Sequence, residues 1–118
     1  MEIKQRKNAD FIIFDIYGNF LEAEPNITEL HERIKELIDK GKSNFLINIE
    51  NIDKVDAFGV GEILACFILM KRHECKFGYF PVKHLPKLGI PVYDPYTYPP
   101  PGVWSFLDEE DAIKNLSK

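Results

Sequence analysis

Residues 46–61 read LINIENIDKVDAFGVG and contain the pattern that decides the fold. Residues 45–49 are almost continuously apolar, which is typical of a strand that is covered on both faces, often in a parallel sheet. A short polar turn is predicted next, and an apolar helix begins near Ala57. Asp56 can cap that helix, and Val55 and Val60 can pack together around the cap as a hydrophobic staple. The stretch therefore predicts a buried strand, a turn and the start of a core helix.

The residues before this stretch predict two strands and a helix. Residues 2–7 alternate weakly, as an edge strand does, and residues 11–17 form an aromatic and β-branched run that suits a buried strand. Asn26 can cap a helix and Glu29 can complete a capping box, after which apolar residues recur at spacings of three and four. Gly41 is a natural end for this helix. If the flanking strands pair in parallel, the connection is a right-handed crossover.

The second half of the chain changes character after one more helix and strand. The helix is predicted over residues 57–73 and the strand over residues 76–82. Residues 84–102 are rich in proline and tyrosine, and the prolines break any long helix. Residues 103–106 predict a short last strand. Asp108 then caps a terminal helix with acidic residues in its first turn, which the helix dipole favours.

Composition limits the functional classes. The 118 residues fit one ordinary domain, with 45% hydrophobic and 29% charged residues. A net charge of −4 argues against nucleic acid as the main partner, because phosphate binding needs a concentrated basic face. The longest apolar run, residues 63–70, is far shorter than the ~20 residues of a membrane span, and no signal peptide is evident. Two cysteines make no disulfide framework, so we expect a cytoplasmic protein with no nucleic-acid or membrane partner.

The junction of strand and helix resembles a family signature. Asp56-Ala57-Phe58-Gly59 resembles the Asp-Ser-Ser-Gly-like motif of STAS domains (sulfate transporter and anti-sigma-factor antagonist), which are bacterial switch modules. Residues 26–41 resemble the first helix of that family, and residues 106–112 resemble its closing turn and acidic helix start. The resemblance implies one STAS-like domain over residues 1–118. Its α/β fold would be a mixed β-sheet covered by helices, in the order β-β-α-β-α-β-(loop)-β-α.

The chain departs from that pattern at two places. In the family the second Ser of the motif accepts phosphate, whereas this chain has Ala57 and Phe58 at the two Ser positions. The family's phosphate adds roughly −1.5 to −2 charge beside a helix N-terminus and would repel a partner. Phe58 cannot accept phosphate; it is either an apolar knob at an interface or a packed core residue. At the second place, residues 84–102 shorten or replace the helix that the family has after its fourth strand.

Two candidate partner-binding surfaces follow. The first is the junction itself, made of Asp56, Ala57, Phe58, Gly59, Val60 and Gly61. The second is the aromatic set of the proline-rich segment, made of Tyr93, Tyr96, Tyr98 and Trp104. This segment is either an extended binding surface or a rigid connector that covers the core edge.

Catalysis, metal binding and cofactor binding find no support in the sequence. His73, Cys75 and His84 fit no standard zinc spacing, so we predict no metal site. Gly59-Val60-Gly61 lacks the spacing and the Lys of a nucleotide loop. The acidic run at residues 108–111 is explained by helix capping, and no catalytic arrangement stands out, so no cofactor and no catalytic residue are predicted.

The resemblance therefore implies a non-enzymatic regulatory protein-binding module similar to an anti-sigma-factor antagonist. Its partner would be an anti-sigma factor of the serine-kinase type, and sequestering that partner would release a sigma factor for transcription. Binding would not be switched by phosphorylation at Phe58. One alternative is an oligomerising scaffold, such as a homodimer that makes contact through Phe58 or the tyrosine segment. Another is an accessory domain of a transport system.

Overall fold

The computed structural model describes residues 1–88 and 105–117. Within these residues five strands form a mixed sheet: β1 Glu2–Asn8, β2 Phe11–Phe20, β3 Asn44–Asn48, β4 Ile52–Val55 and β5 Lys76–Phe80. The helices are α1 Glu29–Asp39, α2 Ala57–Arg72 and α3 Glu109–Leu116, and short 3-10 turns lie at Val82–His84 and Pro86–Leu88. The predicted α/β class, a mixed β-sheet covered by helices, is confirmed.

Strand β2 organises the sheet because it pairs with three other strands. β1 is antiparallel to it, with Glu2 opposite Tyr17 at one end of the pair. The first half of β2 runs parallel to β3, and its far end runs parallel to β4, where Phe20 lies opposite Val55. β5 pairs in parallel with the other side of β3. The start of α2, which follows β4 directly, is therefore placed beside the end of β2.

Both faces of the sheet are covered. Helices α1 and α2 pack on one face, and the larger core cluster lies there; it includes Phe14, Ile16, Phe20, Phe45, Ile47, Phe77, Tyr79, Leu30, Ile34, Phe67 and Met70. Helix α3 covers the other face with a smaller cluster: Phe11, Ile13, Leu46, Phe80, Phe106 and Ala112. Alternate residues of one strand point to opposite faces. Cover on both faces explains why β3 reads as an almost continuous apolar run.

The polar turn predicted after β3 is in part a strand, and this detail of the sequence prediction was wrong. Ile52 is buried and Val55 is half-buried against the core, whereas Asp53 and Lys54 are exposed. Gly18 donates its backbone N–H to the Asn51 carbonyl at 3.1 Å, which brings this segment alongside β2. A four-residue strand with only two apolar positions has too little pattern to be distinguished from a turn.

The predicted capping box at Asn26 was also wrong. Helix α1 begins at Glu29, and the residue at its N-cap is Thr28, which makes no side-chain capping hydrogen bond. The Asn26 amide instead donates to the Met1 carbonyl oxygen at 3.0 Å and to Glu29 Oε1 at 3.4 Å. Gly41 ends the helix as predicted, since it has a φ of +88° and its N–H donates to the Ile38 carbonyl at 2.9 Å.

The C-terminal part of the described chain closes on β5. Ser105 forms an isolated parallel bridge with Tyr79, and Phe106 donates its N–H to the Tyr79 carbonyl at 3.0 Å. The predicted strand over residues 103–106 is thus represented by one bridge, and its first two residues lie outside the described residues. Tyr93, Tyr96, Tyr98 and Trp104 lie outside them as well, so the second candidate surface stays a prediction. The single domain over residues 1–118 stays a prediction too.

Candidate functional site

Asp56 fixes the start of α2 in place. One of its carboxylate oxygens accepts a hydrogen bond from the Gly59 N–H at 2.8 Å, so it is the N-cap that the sequence predicted. The other oxygen accepts from the Glu22 N–H, in the connection between β2 and α1, at 3.0 Å. Hydrogen bonds from these two backbone N–H groups hold the pKa of Asp56 below its ordinary value, and the bond from Gly59 has the larger effect. The helix start is therefore tied to two parts of the chain by one carboxylate.

Only glycine fits at position 59, because there is no space there for a Cβ atom. A Cβ atom built on Gly59 would lie 1.9 Å from the Phe20 carbonyl oxygen and 3.0 Å from a ring carbon of the same residue. Gly61, two residues further on, has no atom within 4 Å of such a Cβ. The first glycine thus lets α2 approach the end of β2 closely, whereas the second lies in open space.

Phe58 points outward from this fixed helix start. Its side chain is 43% exposed, so the alternative in which it folds into the core is not the arrangement in the structure. Ala57 and Gly61 are exposed beside it, Gly59 is buried, and Val60 packs against the core. Of the six residues of the candidate site, Ala57, Phe58 and Gly61 are therefore exposed, whereas Gly59 and Val60 face inward and Asp56 caps the helix.

A groove between α1 and α2 lies further along the same helix, and the sequence reading missed it. The groove has a volume of about 460 Å³ and is lined by His31, Lys35, Ala65, Ile68, Leu69, Arg72 and His73. Ile68 is 57% exposed. The signal that could have revealed this surface is the composition of α2, because a surface helix normally carries polar residues on its outer side and this one is apolar almost all round.

A polar cluster on the α3 face of the sheet was also missed. Arg6 donates to both carboxylate oxygens of the buried Asp15, with Nε to Oδ2 at 2.6 Å, and also pairs with Glu109 at the start of α3. Asn48 donates to Asp15 Oδ1 at 2.8 Å, and Asn8 donates to Glu109 Oε2 at 2.6 Å. These bonds join three strands to α3. A lone Asp in an otherwise apolar strand was the available signal.

The charged groups of this cluster shift one another's pKa values. Burial alone would raise the pKa of Asp15, but hydrogen bonds from Arg6 and Asn48 hold it below its ordinary value. The bond from Arg6 likewise lowers the pKa of Glu109, and the two carboxylates raise that of Arg6. In this arrangement one guanidinium, that of Arg6, holds two carboxylates, so the cluster acts as a clasp for α3.

The residues weighed as metal ligands are placed separately. Among residues 1–88 and 105–117, no group of three His, Cys, Asp or Glu side chains is arranged to hold a metal ion. His84 Nε2 lies 3.0 Å from the Ile52 carbonyl oxygen and so links the first 3-10 turn to β4. Burial raises the pKa of both thiols, Cys66 and Cys75. None of the helices in the described part of the chain is long and apolar enough to cross a membrane.

Known structures resemble this architecture over its whole length. The anti-sigma factor antagonist SpoIIAA in its unphosphorylated form matches with a TM-score of 0.63 and 15% identity, over 98% of each chain. A variant of RsbS from Moorella thermoacetica matches with a TM-score of 0.62 and 15% identity, over 99% of this chain and 96% of that one. The chain has a STAS-like fold. This confirms the fold that the Asp56–Gly59 motif and its flanking elements implied.

Other comparisons add little to the STAS-like assignment. The structure of a protein named Mglu matches with a TM-score of 0.56 and 13% identity, over 66% of this chain but only 19% of that one. No family model matches the sequence, and no curated protein matches it. At these identities the STAS-like resemblance concerns the fold, and what the domain does has to be argued from its own residues.

Proposed function

We propose that this chain is a non-enzymatic regulatory module that binds a partner protein through the start of α2, in the manner of an anti-sigma-factor antagonist. The observation that carries the proposal is the outward side chain of Phe58, 43% exposed on a helix start that Asp56 and Gly59 hold firmly. Aromatic residues on rigid supports are frequent anchors of protein interfaces. The STAS-like fold shared with SpoIIAA supports the regulatory role.

The proposed partner is an anti-sigma factor of the serine-kinase type, and binding would proceed without phosphate control at the loop. Ala57 and Phe58 offer no hydroxyl group, and the Asp56 carboxylate already accepts from an N–H at the helix start. A permanent apolar contact would therefore replace a contact that phosphate can switch off. We propose that this takes place in the cytoplasm, with no direct part for nucleic acid or membrane.

The binding test compares Phe58→Ala with Leu107→Ala against such an anti-sigma factor. Leu107 is the control because its side chain is also exposed, at 69%, but it lies before α3 and away from the candidate site. Loss of an anchor residue costs about 2 kcal/mol, or roughly 30-fold in Kd. Calorimetry should show this loss for Phe58→Ala and little change for the control. Equal affinities for the two variants would contradict the proposal.

Phosphate control has its own test. Incubation with the kinase and labelled ATP should place no label on residues 56–61 of the wild-type chain. Phe58→Ser restores a hydroxyl group at the position of the family's acceptor and should gain label if the kinase docks on this loop. A labelled residue in or beside the loop of the wild-type chain would refute independence from phosphate. No gain in Phe58→Ser would argue that the loop is not a kinase substrate surface.

A further inference from the structure

The outer face of α2 is unusually apolar for a surface helix. Its inner side is buried in the core, as expected. On the outer side Phe58, Gly61, Ala65 and Ile68 follow one another at steps of three and four residues, so they form one stripe. Glu62 is the only charged residue from Ala57 to Met70. Glu62 borders this stripe, since it lies four residues after Phe58 and three before Ala65. The stripe enters the groove between α1 and α2 at Ala65 and Ile68.

The far end of the stripe is bordered by basic side chains. Lys35 and His31 of α1 and Arg72 and His73 at the end of α2 line the groove, and no carboxylate is among the lining residues. The ion pairs among the described residues involve Lys4, Arg6, Arg33 and the N-terminus, so Lys35 and Arg72 have no carboxylate partner there. This basic border stands out in a chain whose net charge is −4.

The helix dipole explains only part of this border. A positive charge is favoured at the end of α2, which accounts for Arg72 and His73. Lys35, however, lies near the middle of α1, where the helix dipole does not account for it. Lys35 and Arg72 thus bring positive charge to one groove from two helices.

The dimensions of this surface suit a helix. Phe58 and Arg72 are fourteen residues apart in α2, which corresponds to about 21 Å, or roughly four helical turns. An amphipathic helix laid in such a groove is a common mode of peptide recognition, with apolar anchors every three to four residues. Carboxylates at one end of the incoming helix would meet Lys35 and Arg72.

We propose that the outer face of α2 and the α1–α2 groove bind an amphipathic α-helix of the partner protein, apolar along one stripe and acidic at the end that meets Lys35 and Arg72. The inference rests on the proposed function, because Phe58 forms one end of this surface. It adds the chemical nature of the partner segment and extends the contact along the full length of α2.

Designed peptides test the inference directly. Two fluorescein-labelled helical peptides of sixteen residues share a leucine stripe; one carries Glu on its flanks and the other carries Lys at the same positions. Fluorescence anisotropy should show the acidic peptide binding at least about tenfold more tightly, because the border of the groove is basic. Equal binding of the two peptides, or binding of neither, would overturn the proposal.

Matched variants locate the peptide on the protein. Ile68→Glu should weaken the acidic peptide about tenfold or more, whereas Leu107→Glu, also at an exposed apolar residue, should leave it unchanged. Combining Lys35→Glu with Arg72→Glu should reverse the preference between the peptides. Lys40→Glu with Lys42→Glu makes the same charge change at exposed residues outside the groove and should not reverse it. A reversal by the control pair as well would show that net charge, not the groove, attracts the peptide.

The remaining outcomes separate this inference from the proposed function. If Phe58→Ala abolishes binding of the anti-sigma factor while Ile68→Glu and the Lys35/Arg72 pair leave it unchanged, the proposed function stands and this inference fails. Light scattering over a concentration series measures whether the chain forms a dimer. A dimer that Ile68→Glu dissociates would identify a second copy of the chain as the occupant of the face and would also overturn the inference.

Discussion

The two glycines at the start of α2 allow a sharp test of how the candidate site is built. Gly59→Ala places a methyl group 1.9 Å from the Phe20 carbonyl oxygen, well inside any normal contact distance. The obstacle is a main-chain atom, so a change of side-chain rotamer cannot relieve the clash, and α2 must move away from β2. Gly61→Ala adds the same methyl group in open space, within the same helical turn.

The expected effects have opposite signs. Overpacking typically costs 1–3 kcal/mol and occasionally more, and a rigid backbone neighbour puts Gly59→Ala at about 3 kcal/mol or above. Gly61→Ala should stabilise the fold by up to about 1 kcal/mol, because alanine is the better helix former by that amount. The two variants should therefore differ by about 4 kcal/mol, a large part of the 5–15 kcal/mol that stabilises a typical domain.

Urea unfolding followed by far-UV circular dichroism measures this difference. With a slope of about 1–3 kcal/mol/M, the midpoint of Gly59→Ala should fall by about 1–3 M, whereas that of Gly61→Ala should stay or rise slightly. Equal slopes for the wild type and both variants would show that the change lies in stability. If Gly59→Ala lost less than about 0.5 kcal/mol, the close approach of α2 to β2 would be refuted.

The clasp of α3 yields two further predictions. Arg6→Met leaves the Asp15 carboxylate buried without its cation, so the free energy of unfolding should fall by about 1–3 kcal/mol. The control Lys7→Met, at an exposed residue of the same strand, should lower it by under about 0.5 kcal/mol. Urea titrations measure both values, and equal losses would contradict the clasp. Asp15, Glu109 and Asp56 have pKa values below the ordinary 3.8 for Asp and 4.5 for Glu. Their stabilisation is complete above those values and is lost as the pH falls through the lowered ones, so thermal unfolding should show a loss below about pH 4. This loss should be shallower in Arg6→Met, and an identical pH profile would count against the assigned cause.

The sequence was informative where structure is local. Asp56 as a helix cap, Gly41 as a helix end and the apolar run of β3 each depend on neighbours within a few residues, and each was predicted correctly. The same holds for Asp108, which caps α3 by accepting from the Asp111 N–H at 2.8 Å. The ordered set of these local signals was enough to indicate the STAS-like fold.

Features that depend on distant parts of the chain were not predictable. Asn26 has the pattern of a cap, but its amide is taken by Met1, which only the folded chain brings near. Arg6 and Glu109 are 103 residues apart, so no spacing rule connects them. At the candidate site, the sequence named Phe58 and left open whether it pointed inward or outward. In the structure Phe58 is exposed, while the next residue, Gly59, faces Phe20, which lies 39 residues earlier in the chain.

The contact between Gly59 and β2 also has a consequence for evolution. Its closest atom on the β2 side is a main-chain carbonyl oxygen, which any amino acid at position 20 would supply. We therefore expect position 59 to stay glycine among relatives that keep this junction, while changes at position 20, a buried core residue, follow core packing and not position 59. The tightest contact at the site would then leave no trace as a co-varying pair of positions, and contact inference from sequence variation would overlook it.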